Sequence, residues 1–260
     1  MPSDGQGIGM TLPRVLLVED DSSIARFVQM ALDELPIELV TCSNVPDAMD
    51  ALHRGGMQLI ITDLMLPGES GMGLLQRLLS DPAIGYRVPV AVFSAGLTPA
   101  VREQLQAMKV WRMLSKPASV LELEACVRDA LSLNEDPAWS TPTPPSTDTH
   151  TTAYADAAAA PDEAEAIATH FAGDAFLFKA YRASCVGQFP ADVKQGDAAC
   201  AAQDWQALRR LTHSLATVLL TLGYPTESAR ARQIEDAAAQ SAAGRCVEQW
   251  LVLRAFLLQL

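Results

Sequence analysis

The sequence has no apolar run that approaches the roughly 20 residues of a membrane-spanning helix. Its first residues, MPSDGQGIGMTLP, lack the basic and apolar regions of a secretory signal. Five cysteines are scattered without a CxxC pair, which excludes a disulfide framework or a cysteine zinc site and is typical of a reducing compartment. We therefore expect a soluble, cytoplasmic protein without a membrane partner.

Positive charge is also scarce. The chain has 19 Lys and Arg against 31 Asp and Glu, which gives a formal net charge of -12. No segment has the clustered basic residues that bind a phosphate backbone, and no basic recognition helix is present. A transcription factor is therefore disfavoured, and we expect no nucleic-acid partner.

The 260 residues are enough for two domains. Residues 12–133 alternate short apolar runs with amphipathic stretches, which predicts an α/β fold with a doubly wound, five-stranded parallel sheet. Residues 134–161 are rich in Pro and Thr and acidic, which predicts a linker. Residues 162–260 have largely helical spacing, which predicts a second, all-α domain, a bundle of four or five helices.

Polar side chains follow four of the predicted strands. Glu19 and Asp20 follow the first strand, Asp63 the third, Ser94 the fourth and Lys116 the fifth. Since the carboxyl ends of parallel strands share one edge of a sheet, we expect these groups to converge there. Clustered carboxylates favour a hard cation such as Mg²⁺, and a carboxylate beside it can attack an activated phosphoryl group.

Each of these residues also has an ordinary structural interpretation. Glu19 or Asp20 could cap the following helix, Asp63 could open a turn, and Ser94 and Lys116 could be a loop hydroxyl and a surface charge. The combination at four strand ends favours the functional interpretation.

The segments LLVEDD, IITDLMLPGESG, VAVFSAG and LSKP together resemble the signature of response-regulator receiver domains, over about residues 12–133. The resemblance implies that Asp63 is the phosphoacceptor. It further implies that Glu19, Asp20 and Asp63 hold Mg²⁺ with the Met65 backbone carbonyl.

The same resemblance implies that Ser94 is the switch hydroxyl and Lys116 the cation that contacts the phosphoryl group. Pro67 and Gly71 match the family's turn after the acceptor strand. One position departs from the family, because Met113 stands three residues before the lysine, where an aromatic ring is usual. Methionine is flexible and apolar. The departure therefore affects the route by which phosphorylation at the site would be transmitted to the rest of the domain.

The segment WQALRRLTHSLATVLLTLGY predicts an amphipathic helix. His213 lies about 160–200° around the helix from the nearest leucines, so we expect an exposed imidazole, with Arg209 and Arg210 one turn before it. Such an imidazole could accept a phosphoryl group, and it could equally be an ordinary solvated histidine. The apolar stripe comprises Leu208, Leu211, Leu215, Val218 and Leu222.

Residues 165–260 resemble histidine phosphotransfer (HPt) domains, helical bundles that carry a phosphoryl group on the histidine of an HxLKG-type motif. His213 and Leu215 match this motif, and the family's lysine and glycine are replaced by Ala216 and Thr217. The lysine neutralises phosphate charge and the glycine leaves room for the partner, so phosphorylation of His213 is the less secure part of the resemblance.

Two hypotheses follow. In the first, the chain is a phosphorelay carrier: Asp63 receives a phosphoryl group from a histidine kinase, and His213 exchanges it with Asp63 or with another receiver. In the second, phosphorylation of Asp63 switches an interaction module whose bundle docks a kinase or receiver without carrying phosphate. The retained His213 favours the first, and Ala216 with Thr217 favours the second.

Overall fold

A computed structural model describes residues 12–81, 88–135 and 163–260. The predicted linker, residues 134–161, lies outside these residues apart from its first two. Within the described residues, no helix has both the length and the apolar character needed to cross a membrane.

The first part of the chain forms a five-stranded parallel sheet. Its strands are β1 (Arg14–Val18), β2 (Glu38–Cys42), β3 (Met57–Thr62), β4 (Val90–Ser94) and β5 (Arg112–Ser115). They lie in the order β2-β1-β3-β4-β5. The order reverses between β1 and β3, which is the switch point of a doubly wound fold, and the predicted fold class is confirmed. Strands β1 and β3 are almost wholly buried, as expected for a sheet covered on both faces.

In the part of the chain that the structure describes, five helices accompany these strands. Asp21 caps the first of them, since its carboxylate accepts hydrogen bonds from the backbone N–H groups of Ser23 and Ile24, each at 2.9 Å. Glu19 and Asp20 are therefore not needed as caps. The helices are α1 (Ser22–Ala31), α2 (Val45–His53), α3 (Gly71–Ser80), α4 (Pro99–Ala107) and α5 (Val120–Glu135).

The turn between β3 and α3 depends on a glycine. A Cβ at Gly71 would collide with the backbone carbonyl of Asp63, and the Gly71 N–H donates to the Leu64 carbonyl at 3.0 Å. Only a residue without a side chain allows this close approach. The start of α3 therefore holds the backbone at the end of β3 in place.

The second part of the chain is all-helical in the residues described, as predicted. Its helices are α6 (Glu163–His170), α7 (Ala175–Ala202), α8 (Trp205–Thr221), α9 (Pro225–Ala239) and α10 (Ala243–Leu257). Helix α8 packs most extensively on α9 and also on α7, and α10 packs on α7 and α9. We call residues 163–260 the helical domain and residues 12–135 the α/β domain.

The two domains pack directly on each other through α1, which contacts α7 and α8. Phe27 of α1 makes edge-on contacts with two rings of the helical domain, at centroid distances of 5.5 Å to Phe171 and 5.3 Å to Tyr181. All three rings are at most 5 % exposed and belong to one apolar cluster that spans both domains. This aromatic contact packs the helical domain on α1, the helix that follows the carboxyl end of β1.

Candidate functional site

Three carboxylates meet at the carboxyl edge of the sheet. Glu19 and Asp20 follow β1, and Asp63 follows β3, the strand that pairs with β1. Each offers an oxygen, and these oxygens lie within 4.8 Å of one another. Such a group of hard oxygen donors fits Mg²⁺, which prefers carboxylates and carbonyls and retains some waters. Met65 lies in the loop that follows Asp63, two residues along the chain.

Lys116 extends from the end of β5 into this acidic cluster. Its Nζ donates to Glu19 Oε2 at 2.5 Å and to Asp63 Oδ2 at 2.8 Å, and all three side chains are buried. The second oxygen of Asp63, Oδ1, accepts the backbone N–H of Leu64 at 2.6 Å. Ser94 is buried at the end of β4, and its hydroxyl helps to lower the pKa of Asp63. The ends of β3, β4 and β5 therefore all act on one carboxylate.

These contacts set the charge of the acidic groups. Burial alone would raise the pKa of Asp63, but the charge and hydrogen bond of Lys116 lower it below its ordinary value, with smaller effects of His213 and Ser94. Burial raises the pKa of Glu19 to about 8, since Lys116 offsets only part of the effect and Asp63 adds repulsion. Asp63 is therefore ionised at neutral pH and available as a nucleophile.

The expected exposure of His213 was wrong. The residue is only 3 % exposed, although the apolar stripe of α8 is buried on its other side as predicted. Periodicity within one helix detects only the face that packs inside its own bundle. The α/β domain lies near the opposite face, where it contacts α8 through α1.

Glu235 of α9 fixes the imidazole of His213. His213 Nδ1 lies 2.8 Å from Glu235 Oε1, and Arg232 pairs with Glu235 Oε2 at 3.2 Å. Burial would raise the pKa of Glu235, but His213 and then Arg232 lower it, so the carboxylate is ionised. Because an ionised carboxylate only accepts, Nδ1 carries a hydrogen, and Nε2 is the ring nitrogen without a hydrogen-bond partner.

Sequence reasoning did not identify Glu235 or Arg232, and it placed only Arg209 and Arg210 near His213. In the structure, Arg232 forms an ion pair with Glu235, the residue that contacts His213, while Arg209 is exposed. The i,i+3 spacing of Arg232 and Glu235 is visible in the sequence. Only the packing of α9 on α8 shows that the pair faces His213.

The amino-acid sequence matches the family model of the response regulator receiver domain over residues 15–128. These residues are a receiver domain. The protein is similar to an uncharacterized transcriptional regulatory protein, YkoG, of Bacillus subtilis, with 30 % identity over 122 residues that cover 46 % of this chain and 51 % of that protein. It is also 30 % identical over 121 residues to the sensor histidine kinase TmoS of Ectopseudomonas mendocina, covering 46 % of this chain and 12 % of the kinase. The chain thus spans about half, or less, of the curated relatives it matches.

Two solved receiver domains are similar in structure to this one. The signal receiver domain of a putative LuxO repressor of Vibrio parahaemolyticus is 27 % identical, covers 48 % of this chain and 94 % of its own, and has a TM-score of 0.45. The second is the receiver domain of a sensor histidine kinase of Pseudomonas aeruginosa, solved with a magnesium ion in its active-site cleft. It is 21 % identical, covers 47 % of this chain and 99 % of its own, and has a TM-score of 0.43.

Met113 occupies the position where the family usually has an aromatic residue. It lies in β5, is partly buried and packs with Val92 and Leu105 in an apolar cluster of the receiver domain. The side chain therefore has close apolar neighbours on the α4 side of the sheet.

The helical domain approaches the receiver site closely. His213 lies near enough to Asp63 to lower the pKa of that carboxyl group. Thr217 and Thr221 of α8 line a small cavity, of about 10 Å³, together with Phe93 and Pro117, which flank Ser94 and Lys116 in the sequence. Both Asp63 and His213 are buried. The helical domain therefore covers part of the carboxyl edge of the sheet.

A larger cavity, of about 490 Å³, opens beside the acidic cluster between α1 and α7. Glu19 and Asp20 line it from the receiver domain, and Ser184 and Gln188 line it from the helical domain. The docked domains therefore leave open space beside two of the three clustered carboxylates.

Proposed function

We propose that the protein is a phosphorelay carrier of two-component signalling, in which a phosphoryl group is exchanged between Asp63 and His213 of the same chain. The observation that carries this proposal is that His213 is buried where α8 packs against the receiver domain, with its Nε2 unpartnered, and that it helps to lower the pKa of Asp63. The helical domain then acts as an HPt domain, and a histidine kinase is the source of the phosphoryl group.

Asp63 is prepared for nucleophilic attack. Its lowered pKa keeps the carboxylate ionised, and the Leu64 N–H and Lys116 Nζ fix both oxygens. Lys116 and Ser94 are positioned to contact the oxygens of the transferred group, where negative charge has to be stabilised. Glu19, Asp20 and Asp63, with the Met65 carbonyl, would hold Mg²⁺, which when bound neutralises phosphoryl charge.

His213 is prepared for the second step. In the neutral imidazole, Nδ1 keeps the hydrogen that it donates to Glu235, and the Nε2 lone pair forms a bond to phosphorus. The bond from phosphorus to the Asp63 oxygen breaks, and its electron pair returns to the carboxylate. The resulting imidazolium charge is stabilised by the Glu235 carboxylate, so the step requires no proton transfer to solvent.

A second candidate function is the interaction module, in which the helical domain docks without carrying phosphate. The specific observation in its favour is that Ala216 and Thr217, which stand where the HPt family has lysine and glycine, are both buried. Helix α8 therefore has no lysine beside His213. The two functions differ in one respect that can be measured, which is the presence of phosphate on His213.

The test is to label the full chain with radioactive acetyl phosphate and Mg²⁺ and to map the label by its stability. We expect base-labile label on Asp63 and acid-labile, base-stable label on His213. Asp63→Asn should abolish both, and His213→Gln should retain only the first. Label confined to Asp63 in the unmodified chain would exclude the carrier function and support the interaction module. Label that persists in Asp63→Asn would refute the acceptor assignment.

A further inference from the structure

Among the described residues, two buried side-chain polar atoms have no hydrogen-bond partner, and they are neighbours on one helix. They are His213 Nε2 and Thr217 Oγ1. Residues four apart on a helix lie on the same face, one turn from each other. An unsatisfied buried polar atom destabilises a protein, so two of them side by side indicate a functional requirement.

The other buried threonines of α8 behave differently. Thr212 donates its hydroxyl hydrogen to the Leu208 carbonyl, and Thr221 donates to the Thr217 carbonyl, both at 2.9 Å. This bond to the carbonyl four residues earlier is the usual way for a buried helical hydroxyl to find a partner. Thr217 does not make it, and its hydroxyl remains free to act on another group.

Thr217 is also placed on the receiver side of α8. It lines the small cavity together with Phe93 and Pro117, the residues next to Ser94 and Lys116. The cavity measures only about 10 Å³, so α8 and the receiver domain are closely packed beside Thr217.

We propose that Thr217 is a phosphoryl-binding residue: its hydroxyl donates a hydrogen bond to an oxygen of the group that passes between Asp63 and His213. The inference rests on the proposed function. The inference gives a role to Thr217, which stands where the HPt family has glycine. The hydroxyl of Thr217 is a hydrogen-bond donor from the helical domain, whereas Ala216, which stands where the family has lysine, has no donor in its side chain. Lys116 and Ser94 contact the same group from the receiver side, so its oxygens are bound from both domains.

In chemical terms, Thr217 changes no bond. As Nε2 of His213 bonds to phosphorus and the Asp63 oxygen leaves with its electron pair, negative charge stays on the three remaining phosphoryl oxygens. A hydroxyl donor at one of them stabilises the transition state and the phosphohistidine. The hydroxyl keeps its hydrogen throughout.

The test compares three full-length variants, Thr217→Val, Thr217→Ser and Thr221→Val. Each is phosphorylated on Asp63 with acetyl phosphate and Mg²⁺, and the appearance of acid-labile label on His213 is followed in time. We expect Thr217→Val to slow this appearance about tenfold or more, while its labelling on Asp63 stays as in the unmodified chain. Thr217→Ser, which keeps the hydroxyl, and Thr221→Val, whose hydroxyl is already bonded within α8, should transfer within about twofold of the unmodified chain.

Thermal unfolding of the unphosphorylated variants separates this role from a structural one. Valine has the shape of threonine and removes an unpartnered polar atom, so Thr217→Val should melt at the same temperature as the unmodified chain or higher. A clearly lower melting temperature would show that the hydroxyl already has a partner in the resting protein, and would overturn the inference.

Unchanged transfer in Thr217→Val, with His213 labelled in the unmodified chain, would overturn the role of Thr217 alone. Absence of label on His213 in the unmodified chain would overturn the proposed function and this inference with it.

Discussion

The imidazole of His213 and the carboxylate of Glu235 are joined by a hydrogen bond of 2.8 Å between Nδ1 and Oε1. This contact selects the tautomer with a free Nε2 and offsets the positive charge that a phosphorylated ring would carry. The histidine is buried, so no solvent molecule can easily replace the carboxylate in this role.

Replacing Glu235 should therefore impair His213 more than it impairs Asp63. We expect Glu235→Ala to slow phosphoryl transfer from Asp63 to His213 by roughly tenfold to a hundredfold, the range of a hydrogen bond to a charged group. Rapid quenching of the phosphorylated full chain measures this rate. The control is Asp236→Ala, an exposed carboxylate next to it on the same helix. Equal rates in the two variants would show that Glu235 has no part in transfer.

Gly71 should be intolerant of even one added carbon. A Cβ at this position meets the Asp63 carbonyl, so Gly71→Ala has to displace the backbone that carries the acceptor. We expect a loss of about 1–3 kcal/mol in the free energy of unfolding, together with slower labelling of Asp63 by acetyl phosphate.

The matched control for Gly71 is Gly187→Ala. Gly187 lies in α7, is exposed, and has no heavy atom within 4 Å of the added carbon. Alanine there should stabilise the helix by about 0.5–1 kcal/mol. Denaturant unfolding of both variants provides the comparison, and a Gly71→Ala variant as stable as the control would contradict the turn geometry.

The fold was largely predictable because it depends on local periodicity. Alternating apolar runs and amphipathic stretches gave the parallel sheet, and strand ends can be located from the same pattern. The positions of Glu19, Asp63 and Lys116 at these ends follow from it, since all carboxyl ends lie on one edge.

The environment of His213 was not predictable in the same way. Its burial depends on a second surface, the receiver domain, which docks through Phe27, Phe171 and Tyr181. In the sequence these aromatic residues look like ordinary core positions of two separate domains. Glu235 was missed for the same reason, because its contact with His213 exists only through the packing of α8 on α9.

Lys116 should stabilise the receiver site mainly in the absence of a divalent cation. Lys116→Met leaves Glu19 and Asp63 buried without their shared cation, which typically destabilises a protein by about 3–5 kcal/mol. Millimolar Mg²⁺ should restore more stability to this variant than to the unmodified chain, because it neutralises the same carboxylates. Thermal unfolding with and without Mg²⁺ measures the difference, and Lys179→Met, an exposed lysine of α7, is the control. An equal response of both variants to Mg²⁺ would argue against a cation site there.

Asp192 of α7 should make stability depend on pH. Burial raises the pKa of Asp192 to about 6, a hydrogen bond from Gln188 offsets part of this effect, and Asp21 of the receiver domain adds repulsion. A carboxyl group whose pKa is raised on folding favours the folded state below its unfolded pKa, and this contribution is lost as the pH rises through about 6.

We therefore expect Asp192→Asn to have the stability of the unmodified chain near pH 4 and to exceed it by about 1–3 kcal/mol at pH 7. Denaturant unfolding across this pH range measures the difference. A constant difference at every pH would show that Asp192 does not titrate on folding in the way described.

The most direct test of the central claim, that Asp63 and His213 of one chain exchange a phosphoryl group, is the concentration dependence of the transfer rate. A reaction within the docked chain should proceed at the same rate over a roughly hundredfold dilution, because its effective concentration is set by the fold. A mixture of phosphorylated His213→Gln chains with Asp63→Asn chains should transfer far more slowly, since the partners then lie on different molecules. A rate that falls in proportion to dilution, and a mixture that transfers as fast as the unmodified chain, would contradict the account.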